Sequence, residues 1–551
     1  MGILVYSTEL LMDDMHRPEL DMSEMRIKGY ERIAGAVYQE LVRSIRAHNA
    51  RPGKSRFPIE MKPYAIWTAL AQDASIVVVK DINPMSNMKQ REEVTFTGTG
   101  GRNKDTMTAA TREYGENDKG LISEATKDSG EVGISTFMPP NPQLKNTLGM
   151  PVDVGQKEFN SSSILSSSVL SSPAASRDDM KRQGFISIQH DHGISILDQR
   201  ENILRTGYEA VIPHRTTELF SVTAKQKGVV KEMSEEGITV LYADGSMKSY
   251  PLGRHYGENA GMTIPHELVS PMKVGMKFME GDSITYNKGF FKPDTLNPKQ
   301  VVWCNGTYAH FALCEPTDVL EDASVIAQEL ADMLMTVQTK PRTIVINFNQ
   351  AIARLVKVGD QLTYADVLCI IQDEITSGLD IYSEADIDSL KALGAQAPKA
   401  KYDGVVERIE IMYRGDKEDM PDALRKLVTI SDKGIASRRQ AAGQSAVTGK
   451  VGEGFKVKGN SIPLDSAAIK IYITGPEAAG VGDKIVLANQ LKSIIGKVLK
   501  EPMQSKDGKK VLGRFSYTSI ARRIVNSPEI TGTTTAILLR GAELALEAYD
   551  S

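Results

Sequence analysis

The sequence predicts a mixed α/β fold of the α+β kind, helical near its N-terminus and β-rich beyond about residue 205. Three patterns point there. Met25, Ile33, Val37, Leu41 and Ile45 fall at helical spacing. Beyond residue 205, short apolar runs such as Ile238-Thr239-Val240-Leu241-Tyr242 are cut by turn residues. Gly-Asp turns recur at Gly281-Asp282, Gly359-Asp360 and Gly482-Asp483, with no fixed repeat between them, which suits β-rich modules rather than a solenoid.

Taken in order, residues 22–48 read as a helix, with Arg26, Lys28, Arg32, Arg43 and Arg46 between the apolar positions. A connector containing Pro, Gly and Arg covers 49–60, and a second helical pattern runs over 63–72. Gly- and Asp-rich loops follow from 98 to 130. Serine dominates 161–176, as a flexible linker or as a loop ordered by its neighbours. Strands are expected at 228–230 and 238–242, with Asp244-Gly245 as a hairpin turn. Residues 384–392 read as helix, 403–413 as strand, 433–460 as a surface loop or linker, 467–473 as strand and 534–549 as amphipathic helix.

Composition narrows the class. A chain of 551 residues, 41% hydrophobic and 25% charged, has room for roughly three to four globular domains. Its net charge of −4 excludes a uniformly basic coat for nucleic acid, so any grip on phosphates must come from local clusters. Cys304, Cys314 and Cys369 are odd in number and form no C-x-x-C, which fits a reducing compartment and argues against a disulfide framework or a cysteine zinc site. The N-terminus lacks the basic region of a signal peptide, and no apolar run approaches the ~20 residues of a membrane span. A cytoplasmic protein without membrane contact is expected.

Several residue groups invite chemistry. Lys484 follows a Gly-Asp turn, and Lys492 lies eight positions further on. A Gly-Asp-Lys alone is only a turn between strands. Glu321-Asp322 precede an apolar stretch, as carboxylates do at many helix N-termini. Arg182-Gln183 suit a basic helix end, though a guanidinium also forks onto phosphate oxygens. His190-Asp191-His192 would place two imidazoles on one face of a strand, with no third ligand near in sequence. No aspartate cluster of the D-F-D-G-D kind occurs.

In order along the chain, these groups resemble the C-terminal half of the β subunit of multisubunit DNA-directed RNA polymerases. Asp81-Ile82-Asn83-Pro84-Met85-Ser86 resembles D-Q-N-N-P-L-S, and Gly98-Thr99-Gly100-Gly101 resembles the G-P-G-G fork-loop turn. Residues 122–134 resemble C-P-I-E-T-P-E-G-P-N-I-G-L, keeping Thr126, an acid at Asp128 and Val132-Gly133-Ile134. Asp179-Met180-Lys181-Arg182-Gln183 resembles N-M-Q-R-Q, and Leu320-Glu321-Asp322-Ala323 resembles F-E-D-A. Gly482-Asp483-Lys484 with Lys492 keeps both lysines of G-D-K-x-x-x-R-H-G-x-K-G, with Ala488-Asn489-Gln490 where the family has Arg-His-Gly. Ser527-Pro528-Glu529-Ile530-Thr531-Gly532 stands in place of S-R-M-N-I-G, and the family's phosphate-binding arginine falls on Pro528.

The resemblance implies a double-psi β-barrel core with a helical N-terminal fork region and a flap-like β insertion. The expected divisions are 1–200 fork-like and near nucleic acid, 201–345 first part of the barrel, 346–461 flap-like insertion, 462–525 second part of the barrel with the lysine pair, and 526–551 a C-terminal helix anchoring a partner. It implies that Lys484, Lys492, Arg182, Glu321 and Asp322 act in catalysis, the two acids near a second Mg²⁺. It places Gln183, Gly100, Gly101, Lys104, Asp128, Arg522 and Arg523 near nucleic acid or nucleotide; either arginine could stand in for the one lost at Pro528, with ordinary surface charge as the alternative. The implied partners are a β′-like subunit carrying the aspartate triad and most of the Mg²⁺ binding, a separate β N-terminal subunit, template DNA, the RNA transcript and NTPs. Such splitting into pieces resembles the polymerases of giant bacteriophages, which work in the host cytoplasm. The alternative is a non-catalytic scaffold or virion protein that keeps the fold.

Overall fold

A computed structural model describes residues 29–53, 56, 58–72, 77–97, 103–145, 151–259, 261–315, 318–373 and 397–550. The expected helix at 384–392, the turn at 98–101 and the first residues of the 22–48 helix lie outside these. Helices Gly29–Ala50 and Pro63–Ala71 pack together, the second opened by a proline whose missing N–H is no loss at N1. Helix Pro84–Glu92 is capped by Asn83, whose oxygen accepts from Ser86 N at 2.7 Å. The amide nitrogen of Asn83 reaches across to the carbonyls of His190 and Gly193, at 3.0 and 2.8 Å. One side chain thus caps one helix and docks it on the C-terminal end of another, Met180–His192.

The serine stretch is ordered. It forms two short helices, Ser161–Ile164 and Ser167–Leu170, with Ser163, Ser166, Ser167, Ser168, Ser171 and Ser172 buried. The hydroxyls satisfy backbone groups locally, and the buried Glu124 carboxylate accepts from both N and Oγ of Ser166. His190, Asp191 and His192 lie on a helix, not the expected strand: Ile186-Ser187-Ile188 alternates apolar and polar as a strand does, and of the helix's apolar side chains only Ile186 is buried.

An eight-stranded antiparallel sheet joins strands drawn from residues 221 to 477. Its path runs Gln361–Leu362, Gly404–Arg414, Ser466–Glu477, Thr336–Asn347, Met262–Val269, Ser283–Asn287 and Ser221–Thr223, with Gly253–Asn259 also paired to Met262–Val269. Thr336–Asn347 and Ser466–Glu477 pair without a break from Thr336↔Glu477 to Asn347↔Ser466. Ile344, Ile346, Ile411, Ile469, Ile471 and Ile473 meet in its largest core cluster. This sheet runs across the divisions expected at 345 and 461.

The stretch 433–460 differs from expectation at its start, because helix Asp422–Ala441 continues through Gly434 and Ser437. Leu424 and Val428 bury one face, and Ser431 and Asp432 continue it. Ser431 accepts from Ile411 N, and Asp432 accepts from Gly449 N. Polar anchors on the buried face hid the helical period. A four-stranded sheet holds Gly228–Met233, Gly237–Tyr242, Met247–Pro251 and Lys277–Phe278, its Asp244-Gly245 turn enabled by φ 85° at Gly245. The chain ends in helix Ser527–Asp550, in which Ser527 is the one buried residue. Among the described residues, no helix is long and apolar enough to cross a membrane.

A five-stranded sheet carries the residues of chemical interest. Its order is Phe311–Leu313, Gly513–Phe515, Ala323–Ala327, Leu491–Leu499 and Lys484–Leu487, with both parallel and antiparallel pairs. Among the described residues this pairing is a path rather than a closed ring.

Candidate active site

Lys484–Leu487 and Leu491–Leu499 form a hairpin in the register Lys484↔Ile494 and Val486↔Lys492. Directly paired residues share a face, and so do residues two apart on a strand. Lys484, Val486, Lys492 and Ile494 therefore share one face, and all four are exposed. The opposite face packs inward. Ile485 and Ile495 join Ile326, Leu330 and Leu512, while Leu487 and Leu491 join Phe515, Ile520 and Val525. Alternation thus fixes the direction of both lysines, whose diagonal placement sets their stems roughly 7–8 Å apart. Neither has an ion-pair partner among the described residues. The Gly-Asp turn enters with Gly482 at φ 97°, and Asp483 accepts from Gly480 N at 2.8 Å.

Strand Ala323–Ala327 runs parallel to Leu491–Leu499, with Ala323 beside Ile494. The backbone oxygen of Asp322 accepts from Ile494 N at 3.1 Å, which brings the acidic pair to the residue paired with Lys484. Asp322 has φ 60°, a left-handed conformation that aspartate tolerates better than most residues. Its N–H donates to Ser519 Oγ at 3.0 Å. Close approach of the chain leading into Glu321 needs Gly496, because a Cβ there would stand 2.5 Å from Val319 Cγ1.

Each acid meets an arginine. Arg522 reaches Glu321 at 3.0 Å and Arg523 reaches Asp322 at 2.6 Å, both across 201 residues of sequence. The hydrogen bond from Arg523 holds the Asp322 carboxyl below its usual range, against a smaller opposing effect of burial. Asp322 Oδ1 is buried with no hydrogen-bond partner among the described residues. Arg182 stands in the first turn of helix Met180–His192, its N–H donating to the cap Asp179 at 2.8 Å and its guanidinium over the Phe185 ring at 5.0 Å. Burial and then the Arg523 cation lower its pKa, while Asp179, Asp322 and Asp178 oppose them. Arg182, Arg523 and Asp322 therefore share one electrostatic neighbourhood.

The remaining expected residues fall elsewhere. Gln183 is buried, and its amide donates to the carbonyls of Ala175 and Asp178, at 3.1 and 3.4 Å. It also lines a cleft of about 540 Å³ with Ile122, Glu124, Phe159 and Met180. Lys104 pairs with Glu131 at 2.9 Å, and Asp128 accepts from Ser129 N at 2.7 Å to cap the turn Ser129–Glu131. These bonds keep both within their own segment. Gly100 and Gly101 lie outside the described residues.

Sequence reasoning missed Asp178, Asn489, Gln490 and Ser527, whose side chains lock the turn between the lysines to two helices. The signal available was the Ala488-Asn489-Gln490 triplet, whose amides are unlike the Arg-His-Gly expected there. Among the described residues, no group of three or more His, Cys, Asp or Glu is placed to hold a metal. With both acids bonded to arginines, Asp322 Oδ1 is the buried carboxylate oxygen of this pair without a hydrogen-bond partner among the described residues. Mg²⁺ bound through one or two carboxylates completes its shell with water and phosphates, so such a donor fits a shared ion rather than one held here alone.

A family model described as bacteriophage RNA polymerase matches residues 1–105. The match takes in helices Gly29–Ala50, Pro63–Ala71 and Pro84–Glu92 and ends well before the lysine hairpin. Over residues 1–105, the chain is similar to that family.

Proposed function

We propose that this chain is the C-terminal part of the β subunit of a multisubunit DNA-directed RNA polymerase, active only within a complex. The observation that carries the proposal is that Lys484 and Lys492 share one exposed face beside the strand that begins at Ala323, just after Asp322. The similarity over residues 1–105 supports a polymerase of bacteriophage type.

In this reading the five-stranded sheet belongs to a double-psi barrel that faces a second barrel on a β′-like subunit. The ammonium groups of Lys484 and Lys492 stabilise the negative charge of the α-phosphate and of the RNA 3′ end as the 3′-oxygen bonds to the α-phosphorus and pyrophosphate leaves. Arg182 forks onto phosphate oxygens of the incoming NTP, and Arg522 and Arg523 hold the acidic pair in place. Mg²⁺, held mainly by the partner, would activate the 3′-hydroxyl and neutralise the triphosphate, and Glu321 and Asp322 would be the acids this chain contributes to its surroundings. A separate β N-terminal subunit, template DNA and the transcript complete the assembly.

The testing experiment tags the chain in its native host and identifies co-purifying proteins by mass spectrometry. A partner with an aspartate-triad barrel and one resembling the N-terminal half of β are expected. A lone chain, or structural proteins only, would overturn the reading. One observation favours a second reading, a non-catalytic scaffold: both acids of the candidate site are already neutralised by arginines.

A further inference from the structure

The loop that separates the two lysines is strained and is held from outside. Ala488 and Asn489 have φ 47° and 69°, and Gln490 N closes the turn on Leu487 O at 3.3 Å. An alanine in the left-handed region is unfavourable, so surrounding contacts must fix this turn. Gln490 is buried, and its Nε2 donates to Asp178 Oδ2 at 2.6 Å and to Ser527 Oγ at 2.8 Å. Asp178 is buried as well. Its Oδ1 accepts from the backbone N–H groups of Asn526 and Ser527, at 2.7 and 2.8 Å, and its Oδ2 also accepts from Ser527 Oγ. A single carboxylate thus joins the residue before the Asp179 cap, the tip of the lysine hairpin and the start of the C-terminal helix. Those elements carry Arg182, the lysine pair and the chain just after Arg523.

We propose that Gln490 and Asp178 are positioning residues whose clasp sets Lys484 and Lys492 against Arg182 and the Asp322–Arg523 pair. The inference rests on the polymerase reading for its consequence, but the clasp itself is a property of this chain. Every group bonded to Asp178 is a donor, so the clasp needs an acceptor at 178 and a donor at 490. Gln490→Glu sets two buried carboxylates against each other, which holds them apart unless one takes a proton. Exchanging the groups, with Asp178→Asn and Gln490→Glu together, restores the pattern. The amide oxygen then at position 178 accepts from the two backbone N–H groups. Its NH₂ donates to the carboxylate then at position 490, which also accepts from Ser527 Oγ.

The test is amide hydrogen exchange on the full chain, read over 484–494 and 526–530 with 404–414 as the reference. Gln490→Glu is expected to raise exchange in the first two segments at least tenfold at neutral pH, less so in acid, and to leave the reference unchanged. The double variant returns both segments to the wild-type rate. In the purified complex, nucleotide addition falls by about 10²-fold in the single variant, chiefly in kcat, and recovers in the double variant. Wild-type exchange in Gln490→Glu, or no recovery in the double variant, would overturn the clasp. If exchange behaves as stated but the wild-type complex adds no nucleotide, the polymerase reading fails and the clasp stands.

Discussion

Arg523 donates to Asp322 at 2.6 Å, while the neighbouring Arg522 donates to Glu321 at 3.0 Å. The two pairs differ in environment. The Arg523 side chain is 23% exposed, the Arg522 side chain 71%. Solvent screening leaves an exposed pair worth little, and partial burial preserves more of the attraction. Double-mutant cycles measured by urea unfolding should therefore give a coupling of about 1 kcal/mol for Asp322 with Arg523 and nearly none for Glu321 with Arg522. Because Arg523 lowers the Asp322 pKa, the pair's contribution is present above the ordinary aspartate value of 3.8 and fades only as pH falls below it. Equal couplings would mean that burial does not set the difference.

Replacing both Lys484 and Lys492 by alanine removes two cations from an exposed sheet face without touching the inward-packed one. Assembly and stability should stay near wild type. Single-nucleotide addition on a preformed RNA–DNA scaffold should fall by at least about 10²–10³-fold, the scale of losing preorganised charge stabilisation. Addition within a few-fold of wild type would remove the lysines from the mechanism and favour the scaffold reading.

Some local elements were legible in the sequence, for physical reasons that can be named. The Gly-Asp turn before Lys484 is a local signal and could be read, but the pairing of Lys484–Leu487 with Leu491–Leu499 could not. The helix at Pro63 showed its starting proline, and the Asp244-Gly245 turn showed its glycine. What escaped was the set of contacts made across long stretches of chain. Nothing near Glu321 indicates that Arg522 will face it, since the antiparallel pairing of Ala323–Ala327 with Gly513–Phe515 brings the segments together. The helix at 422–441 escaped because Ser431 and Asp432 sit on its buried face, and polar anchors break the apolar period.

Gly496 offers a test of how the acidic pair is placed. A Cβ at this position meets Val319 Cγ1 at 2.5 Å and so presses on the chain leading into Glu321. Gly496→Ala should destabilise the chain by about 1–3 kcal/mol, and Val319→Ala in the same chain should restore part of that. Denaturant midpoints of the two variants decide it. An unshifted midpoint in Gly496→Ala would show that the strand gives way without strain.

His190 links the stability of the hairpin to pH. The ring is buried edge-on to Trp303, and its Nε2 lies 3.3 Å from Asn489 Oδ1 at the tip of the lysine hairpin. Burial lowers its pKa from 6.5 to about 4, and His266 is lowered to about 4 by the same cause. Between those values the unfolded chain binds protons that the folded chain refuses, so stability falls as pH drops from 6.5 towards 4. The slope is at most about 1.4 kcal/mol per pH unit for each histidine. His190→Gln keeps a donor for Asn489 and cannot titrate, so it should remove one histidine's share of the slope. Urea unfolding across this pH range measures it, and an unchanged slope in the variant, or a His190 ring titrating near its ordinary 6.5 by NMR, would show that the histidine is not held neutral by the fold.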